Sequence, residues 1–196
     1  KGCAELVTSA YRRSFLQDQG VGLASVRAGN AIGGGDWASD RLIPDILRSF
    51  EKNEHVVIRN PKATRPWQHV LEPLSGYLIL AEKLYKDQNR YAEGWNFGPN
   101  EKDIKPVDWI LDKMISKWPD SNWKLDRNSN PHEAGFLKLD ISKAKSRLGW
   151  SPIWKLEHTL DKIISWQRSW LNEEDMQIVC LAEINEYMRD INRENL

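Results

Sequence analysis

Short apolar segments alternate with longer amphipathic segments along the chain, and this alternation constrains the fold more than any other feature. Strand-length apolar segments occur at residues 22–26, 56–58 and 94–97. Segments with apolar residues at helical spacing lie at residues 2–18, 42–52, 73–85, 106–118, 142–148, 156–171 and 173–188. Strands that alternate with helices predict an α/β fold with parallel strands.

Glycines and polar segments mark the limits of these elements. Gly20 is placed to end the first helix as a C′ residue, and Gly149 is placed to end the short helix before it. A glycine-rich turn is predicted at residues 29–36 and a polar loop at residues 120–133. Residues 67–70 are predicted to form a further short strand.

Charge and cysteine content limit the partners and the compartment. The 28 Lys and Arg side chains balance 28 Asp and Glu side chains. A balanced chain has no global field that attracts nucleic acid or an anionic membrane, so neither is predicted as a partner.

Cys3 and Cys180 are expected to be free thiols in a reducing cytoplasm, and no Cys/His cluster predicts a metal site. The chain begins at Lys1 without a methionine, which leads us to expect that natural sequence precedes it.

Two segments near the N-terminus resemble a known signature. Lys1 begins the first predicted helix, and residues 26–30 (Val-Arg-Ala-Gly-Asn) end the following strand. They resemble the end of the YxxxK motif and the R-x-x-N turn of the extended short-chain dehydrogenases/reductases. On this resemblance Lys1 is the catalytic lysine, and its tyrosine lies four residues upstream. Residues four apart share a helix face, and an ammonium group lowers the pKa of a nearby phenol, which suits the tyrosine to act as a general base.

Further motifs extend the resemblance over roughly residues 1–190. They are Asn-Ala-Ile-Gly-Gly-Gly-Asp-Trp at 30–37, Asp-Arg-Leu-Ile-Pro-Asp at 40–45, Arg-Pro-Trp-Gln-His-Val at 65–70 and Trp-Asn-Phe-Gly-Pro at 95–99. In order and spacing they resemble the CDP-glucose 4,6-dehydratases. Residues 1–29 are therefore expected to end a Rossmann-type NAD-binding domain with a doubly wound parallel sheet. Residues 30–196 are expected to form a smaller mixed α/β lobe that binds the sugar nucleotide.

Several polar residues suit a nucleotide diphosphate sugar. Arg59 and Arg65 flank a proline-containing loop, and arginine presents a planar fork of donors to phosphate oxygens. Asn30 and Asn96 each offer a donor and an acceptor to phosphate oxygens or sugar hydroxyls.

The helix that starts after Asp40 offers the backbone N–H groups of Leu42 and Ile43 to a pyrophosphate. His132, in the polar loop, is a further candidate for substrate contact. The resemblance also implies an NAD cofactor next to Lys1, Ala28 and Ala31.

The resemblance implies a specific reaction. NAD takes a hydride from C4 of CDP-glucose, water is lost across C5 and C6, and the hydride returns to C6 to give CDP-4-keto-6-deoxy-glucose, for deoxysugar or O-antigen-type polysaccharide synthesis. The dinucleotide fingerprint, the tyrosine and the elimination acid and base are expected to precede Lys1, so we expect this chain alone to be inactive. A homodimer is expected for the full-length enzyme.

Other interpretations remain open at the level of sequence. A dehydratase, epimerase or decarboxylase that acts on another nucleotide sugar shares the R-x-x-N turn, and a non-catalytic binding module is a further alternative. His69 is expected to be structural, residues 33–35 to form a close-approach turn, and Trp37 either to cover the site or to pack.

Overall fold

Helices and strands alternate in the computed structural model, which describes residues 1–126, 128 and 135–194. The α-helices are α1 (Gly2–Tyr11), α2 (Leu42–Glu51), α3 (Leu71–Lys86), α4 (Gln88–Tyr91), α5 (Val107–Ile115), α6 (Leu156–Leu171) and α7 (Met176–Glu194). The strands are β1 (Ser25–Ala28), β2 (Asn30–Ile32), β3 (Val56–Ile58), β4 (Thr64–Arg65), β5 (Trp67–His69), β6 (Gly94–Phe97), β7 (Lys105–Pro106) and β8 (Trp123–Leu125). Among these helices, none combines the length and apolar character needed to cross a bilayer.

The strands form four two-stranded sheets. β1 pairs with β6, β2 with β5 and β3 with β8, all parallel, whereas β4 and β7 are antiparallel. The predicted α/β fold with parallel strands is confirmed. The strands pair in twos, however, and β6 of the predicted second domain pairs with β1 of the first.

Two predicted loops contain strands. Residues 30–32, predicted as part of the glycine-rich turn, form β2, and residues 123–125, predicted as part of a polar loop, form β8. The prediction of an unbroken loop at 120–133 was wrong because three residues give too short a pattern to reveal a strand. β8 forms because β3, distant in sequence, supplies its hydrogen-bonding partner.

Two apolar clusters hold the elements together. In the larger cluster, Phe50 of α2, Ile110 of α5 and Ile163 of α6 are almost completely buried around β3. The second cluster packs Trp95 and Phe97 of β6 against α3. Gly76 permits that contact, since a Cβ atom there would lie 2.3 Å from the Phe97 ring.

A buried polar network attaches the C-terminal helix. The Glu72 carboxylate, at the start of α3, accepts hydrogen bonds from the backbone N–H groups of Ile153 and Trp154 and, at 2.8 Å, from the hydroxyl of Tyr187 on α7. Because Glu72 is fully buried, desolvation raises its pKa. His69 is also fully buried, and its Nδ1 accepts from the backbone N–H of Leu71 at 3.3 Å, as expected of a structural histidine.

Candidate functional site

A cavity of about 580 Å³ lies where β2, β3 and the N-terminus of α2 meet. Six of the predicted site residues line it, namely Asn30, Ala31, Leu42, Ile43, Arg59 and Arg65. They come from four separate segments of the chain, so the fold brings together residues that the sequence only suggested as a group.

Backbone geometry at the end of β1 places Asn30 at the cavity. Gly29 connects β1 to β2, and its N–H donates to the Phe97 carbonyl at 2.9 Å. A Cβ atom at Gly29 would lie 2.3 Å from the Pro66 carbonyl oxygen, so the backbones approach too closely for any side chain. The N–H of Asn30 donates to that same carbonyl at 2.8 Å, which fixes the residue at the cavity wall.

The N-terminus of α2 forms one end of the cavity. Arg41 is extended and Leu42 is the first helical residue, so the N–H groups of Leu42 and Ile43 have no partner within the helix. Pro44 follows in the first turn, where its missing N–H costs no helical hydrogen bond. Two donors that lack a partner among the described residues, at the positive end of the helix dipole, suit an anion.

The charged side chains of the cavity are partly paired with one another. Arg41 lies 3.2 Å from Asp36, and Arg59 lies 3.7 Å from Asp40. Arg65 is half-buried and donates to the Thr64 carbonyl at 3.0 Å, which holds its guanidinium at the cavity. Asp36, Asp40 and Arg41 were not predicted as site residues, although the 30–37 motif contains Asp36 and the 40–45 motif contains Asp40 and Arg41.

The remaining predicted residues lie elsewhere. Lys1 is exposed at the start of α1, and Ala28 is the last residue of β1; neither lines the cavity. Asn96 lies on β6, where its amide accepts from Arg27 at 3.0 Å and donates to the Asp140 carbonyl at 3.1 Å. Both polar ends of Asn96 are therefore engaged within the protein. His132 lies outside the described residues.

Glu5 attaches the helix that carries Lys1 to β1. Its carboxylate accepts hydrogen bonds from Arg27 at 2.8 Å and from Ser25 at 2.7 Å. The Arg27 guanidinium, followed by the Ser25 hydroxyl, holds the pKa of Glu5 below its ordinary value. Since Lys1 and Glu5 are four residues apart, they share one face of α1.

The glycine-rich turn packs against α6. A Cβ atom at Gly34 would lie 2.1 Å from the Trp166 ring, so the predicted close-approach turn is confirmed. Trp37 contacts Trp166 and Trp170, with ring centroids 6.1 and 5.3 Å away. Of the two roles expected for Trp37, packing is the one that the structure shows.

One group of side chains in the described part of the chain has spacing compatible with a metal ion. His158, Glu186 and Asp190 bring ligand atoms within 4.8 Å of one another. Lys162 already lies 2.5 Å from Glu186, and the indole N–H of Trp154 donates to Asp190 at 2.9 Å. These contacts account for both carboxylates without a metal.

Comparison with known proteins first defines the class. The structure is similar to UDP-glucuronic acid 4-epimerase from Bacillus cereus (TM-score 0.68, 19% identity, 85% of this chain and 50% of that one). It is also similar to dTDP-glucose 4,6-dehydratase from Bacillus anthracis (TM-score 0.66, 18% identity, 85% and 50%). Both were solved in complex with NAD. At these identities the likeness concerns the fold, which is that of the nucleotide-sugar epimerases and dehydratases.

Sequence comparison then identifies a particular relative. The chain is 58% identical over 194 residues to CDP-glucose 4,6-dehydratase of Salmonella typhimurium, covering 96% of this chain and 54% of the relative. It is 26% identical over 178 residues to UDP-glucuronic acid decarboxylase 1 of Arabidopsis thaliana, covering 89% and 38%. No family model matches. The chain is thus a homologue of CDP-glucose 4,6-dehydratase, and it spans about half the length of the curated relatives it matches.

Proposed function

We propose that the cavity binds CDP-glucose for its dehydration to CDP-4-keto-6-deoxy-glucose in an NAD-dependent enzyme. The observation that carries this proposal is the convergence of Asn30, Arg65 and the N-terminus of α2 on one cavity. The 58% identity to a CDP-glucose 4,6-dehydratase supports the choice of reaction.

The diphosphate is assigned to the N-terminus of α2. The N–H groups of Leu42 and Ile43, which the helix leaves without a partner, donate to phosphate oxygens there, and the Arg65 fork adds two parallel hydrogen bonds. This local site is needed because the chain has no net positive charge to attract an anion.

The glucose is assigned to the β2 end of the cavity, where Asn30 donates to or accepts from its hydroxyls.

The residues present fit NAD in one respect. Ala28 at the end of β1 and Ala31 on β2 are small and exposed, so a flat ring can approach the backbone at these two positions. They would hold the nicotinamide side of NAD, with Lys1 as the predicted ribose ligand. NAD supplies the hydride chemistry when bound.

A binding assay with a nucleotide-sugar panel tests the proposal. We expect CDP-glucose to raise the melting temperature more than UDP-glucose or dTDP-glucose, and Arg65→Lys to lower affinity for CDP-glucose about tenfold, because lysine cannot form the bidentate contact. Arg13→Lys is the matched control, since Arg13 is exposed and lies outside the cavity. Preferential stabilisation by UDP-glucose or dTDP-glucose would contradict the assignment.

Two expectations from the resemblance belong to the same proposal. We expect no turnover from this chain alone with NAD and CDP-glucose, measured as the absorbance of the 4-keto product in alkali. We also expect self-association, which the exposed apolar side chains Leu6, Val7 and Tyr11 of α1 support. Sedimentation of a Leu6→Glu variant tests the second expectation, and an unchanged dimer would count against α1 as the interface.

A further inference from the structure

We propose that the Asp40 carboxylate and the Arg59 guanidinium read the nucleobase edge together and select cytosine over uracil. This inference rests on the proposed function, because it assigns the nucleoside to one end of the cavity described above. Nothing in the sequence motifs singled out Asp40 for this role, and the inference comes from the pairing of these two side chains across the cavity.

The position of the pair fits the nucleoside. β2 and β3 belong to different sheets and both border the cavity, which therefore extends from one to the other. If the glucose lies at the β2 end and the diphosphate at α2, the nucleoside reaches the β3 end. Arg59 directly follows β3, and its guanidinium lies 3.7 Å from the Asp40 carboxylate.

The chemistry of the pair matches one base. Cytosine presents two acceptors, O2 and N3, beside one donor, the 4-amino group. An arginine fork donates to the two acceptors, and a carboxylate accepts from the amino group. Uracil presents an N–H to the arginine and a carbonyl oxygen to the carboxylate, so that like groups face each other at both positions. An Asp–Arg pair therefore favours cytosine by attraction and disfavours uracil by mismatch.

Asp40 is the cavity carboxylate most available for this contact. Asp36 is bound by Arg41 and accepts from the Ala38 N–H at 3.1 Å, and Asp45 is bound by Arg48. Among the described residues, the one ion pair of Asp40 is with Arg59, and its side chain is 87% exposed. A base edge that approaches the pair meets two side chains whose polar atoms are open to a ligand.

The backbone segment that carries Asp40 has a defined conformation before any ligand arrives. Its φ of 58° lies in the left-handed region, which is uncommon for residues other than glycine and is often found at functional sites. The loop that carries it is fixed by Arg48, whose guanidinium donates to the carbonyls of Trp37 and Ala38 at 3.1 and 3.2 Å. A loop whose backbone is already held loses less entropy on binding than a loop that must become ordered, which favours selectivity.

Titration calorimetry with CDP and UDP tests the inference. We expect wild-type protein to prefer CDP, and Asp40→Asn to reduce the CDP:UDP affinity ratio on the order of tenfold, because an amide can rotate to offer either a donor or an acceptor. Asparagine also tolerates a positive φ, so the loop conformation is retained. Asp120→Asn is the matched control, since Asp120 has a φ of 64° and lies outside the cavity.

A second variant covers the case in which Asp40→Asn does not fold. Arg59→Met should weaken CDP binding more than UDP binding. Cytosine accepts hydrogen bonds from the Arg59 guanidinium at both O2 and N3, whereas uracil accepts one at O2 only. An unchanged ratio in both variants, with CDP still bound tightly by the wild type, would overturn this inference and leave the proposed function standing. If the wild type bound neither nucleotide, the proposed function would fall and this inference with it.

Discussion

The hydroxyl of Tyr187 donates a 2.8 Å hydrogen bond to the carboxylate of Glu72, although 115 positions separate the two residues. The same hydroxyl lies 3.1 Å from the Ser75 hydroxyl, and the Trp150 indole N–H donates to Ser75 at 3.0 Å. The network thus ties α7 to the start of α3 and to the segment before α6. Buried groups of this kind are costly to leave unpaired, so the network resists partial disruption.

Removing the hydroxyl should destabilise the protein measurably. We expect Tyr187→Phe to lower the free energy of unfolding by about 1–2 kcal/mol, because Glu72 loses a buried donor while the ring packing is retained. Urea denaturation measures the change. Tyr85→Phe is the control, since Tyr85 is 87% exposed and should show almost no effect. Equal effects from the two variants would contradict the assigned role of the network.

Glu72 should also make stability depend on pH. Because desolvation raises its folded-state pKa above the unfolded value, its contribution is fully present below the unfolded pKa and is lost as pH rises through the folded pKa. The free energy of unfolding of the wild type minus that of Glu72→Gln should therefore be largest at low pH and should decrease as pH rises. A difference that grows in favour of the wild type with rising pH would show that the pKa is lowered instead.

The glycine-rich turn should not tolerate even a methyl group at Gly34. We expect Gly34→Ala to destabilise by about 1–3 kcal/mol, because the new Cβ overlaps the Trp166 ring and the turn must move. Since Asp36 follows this turn, affinity for CDP-glucose should fall as well. Gly2→Ala is the control, because a Cβ there has no atom within 4 Å. Chemical denaturation and calorimetry report the two effects separately.

Asn30 should contribute to binding and little to stability. Its backbone keeps its hydrogen bond to Pro66 whatever the side chain, so Asn30→Ala should leave the melting temperature nearly unchanged. Affinity for CDP-glucose should decrease about tenfold through the lost side-chain hydrogen bonds. Asn89→Ala is the control, because Asn89 on α4 is exposed and lies outside the cavity. A large drop in melting temperature without a change in affinity would assign Asn30 a structural role.

Long periodic segments could be predicted from the sequence, and short paired segments could not. The apolar face of α6 repeats over 16 residues, and that length made the helix predictable. β8 has only three residues and exists through its pairing with β3, which no local pattern shows. In the same way, the contact of Tyr187 with Glu72 depends on how α7 folds back onto the start of α3. Neither the residue types nor their spacing predicts this contact.

The site was predictable to the extent that motifs mark single residues. Asn30 and Arg65 stand in recognisable motifs, Arg59 flanks a proline-containing loop, and all three line the cavity. Asn96 also stands in a motif, but its neighbours Arg27 and Asp140 engage its amide. Those partners come from distant parts of the chain, so this competition for the Asn96 amide could not be predicted from local sequence.

The bonds from Arg48 to the carbonyls of Trp37 and Ala38 bear on how a ligand enters. Arg48 belongs to α2, so these bonds join the loop before the helix to the helix itself. Loop and helix therefore form one rigid body, and residues 36–41 cannot swing as a separate lid without breaking them. Widening the cavity on this side requires α2 to shift as a whole, whereas Arg59 on the opposite side can turn away by side-chain rotation alone.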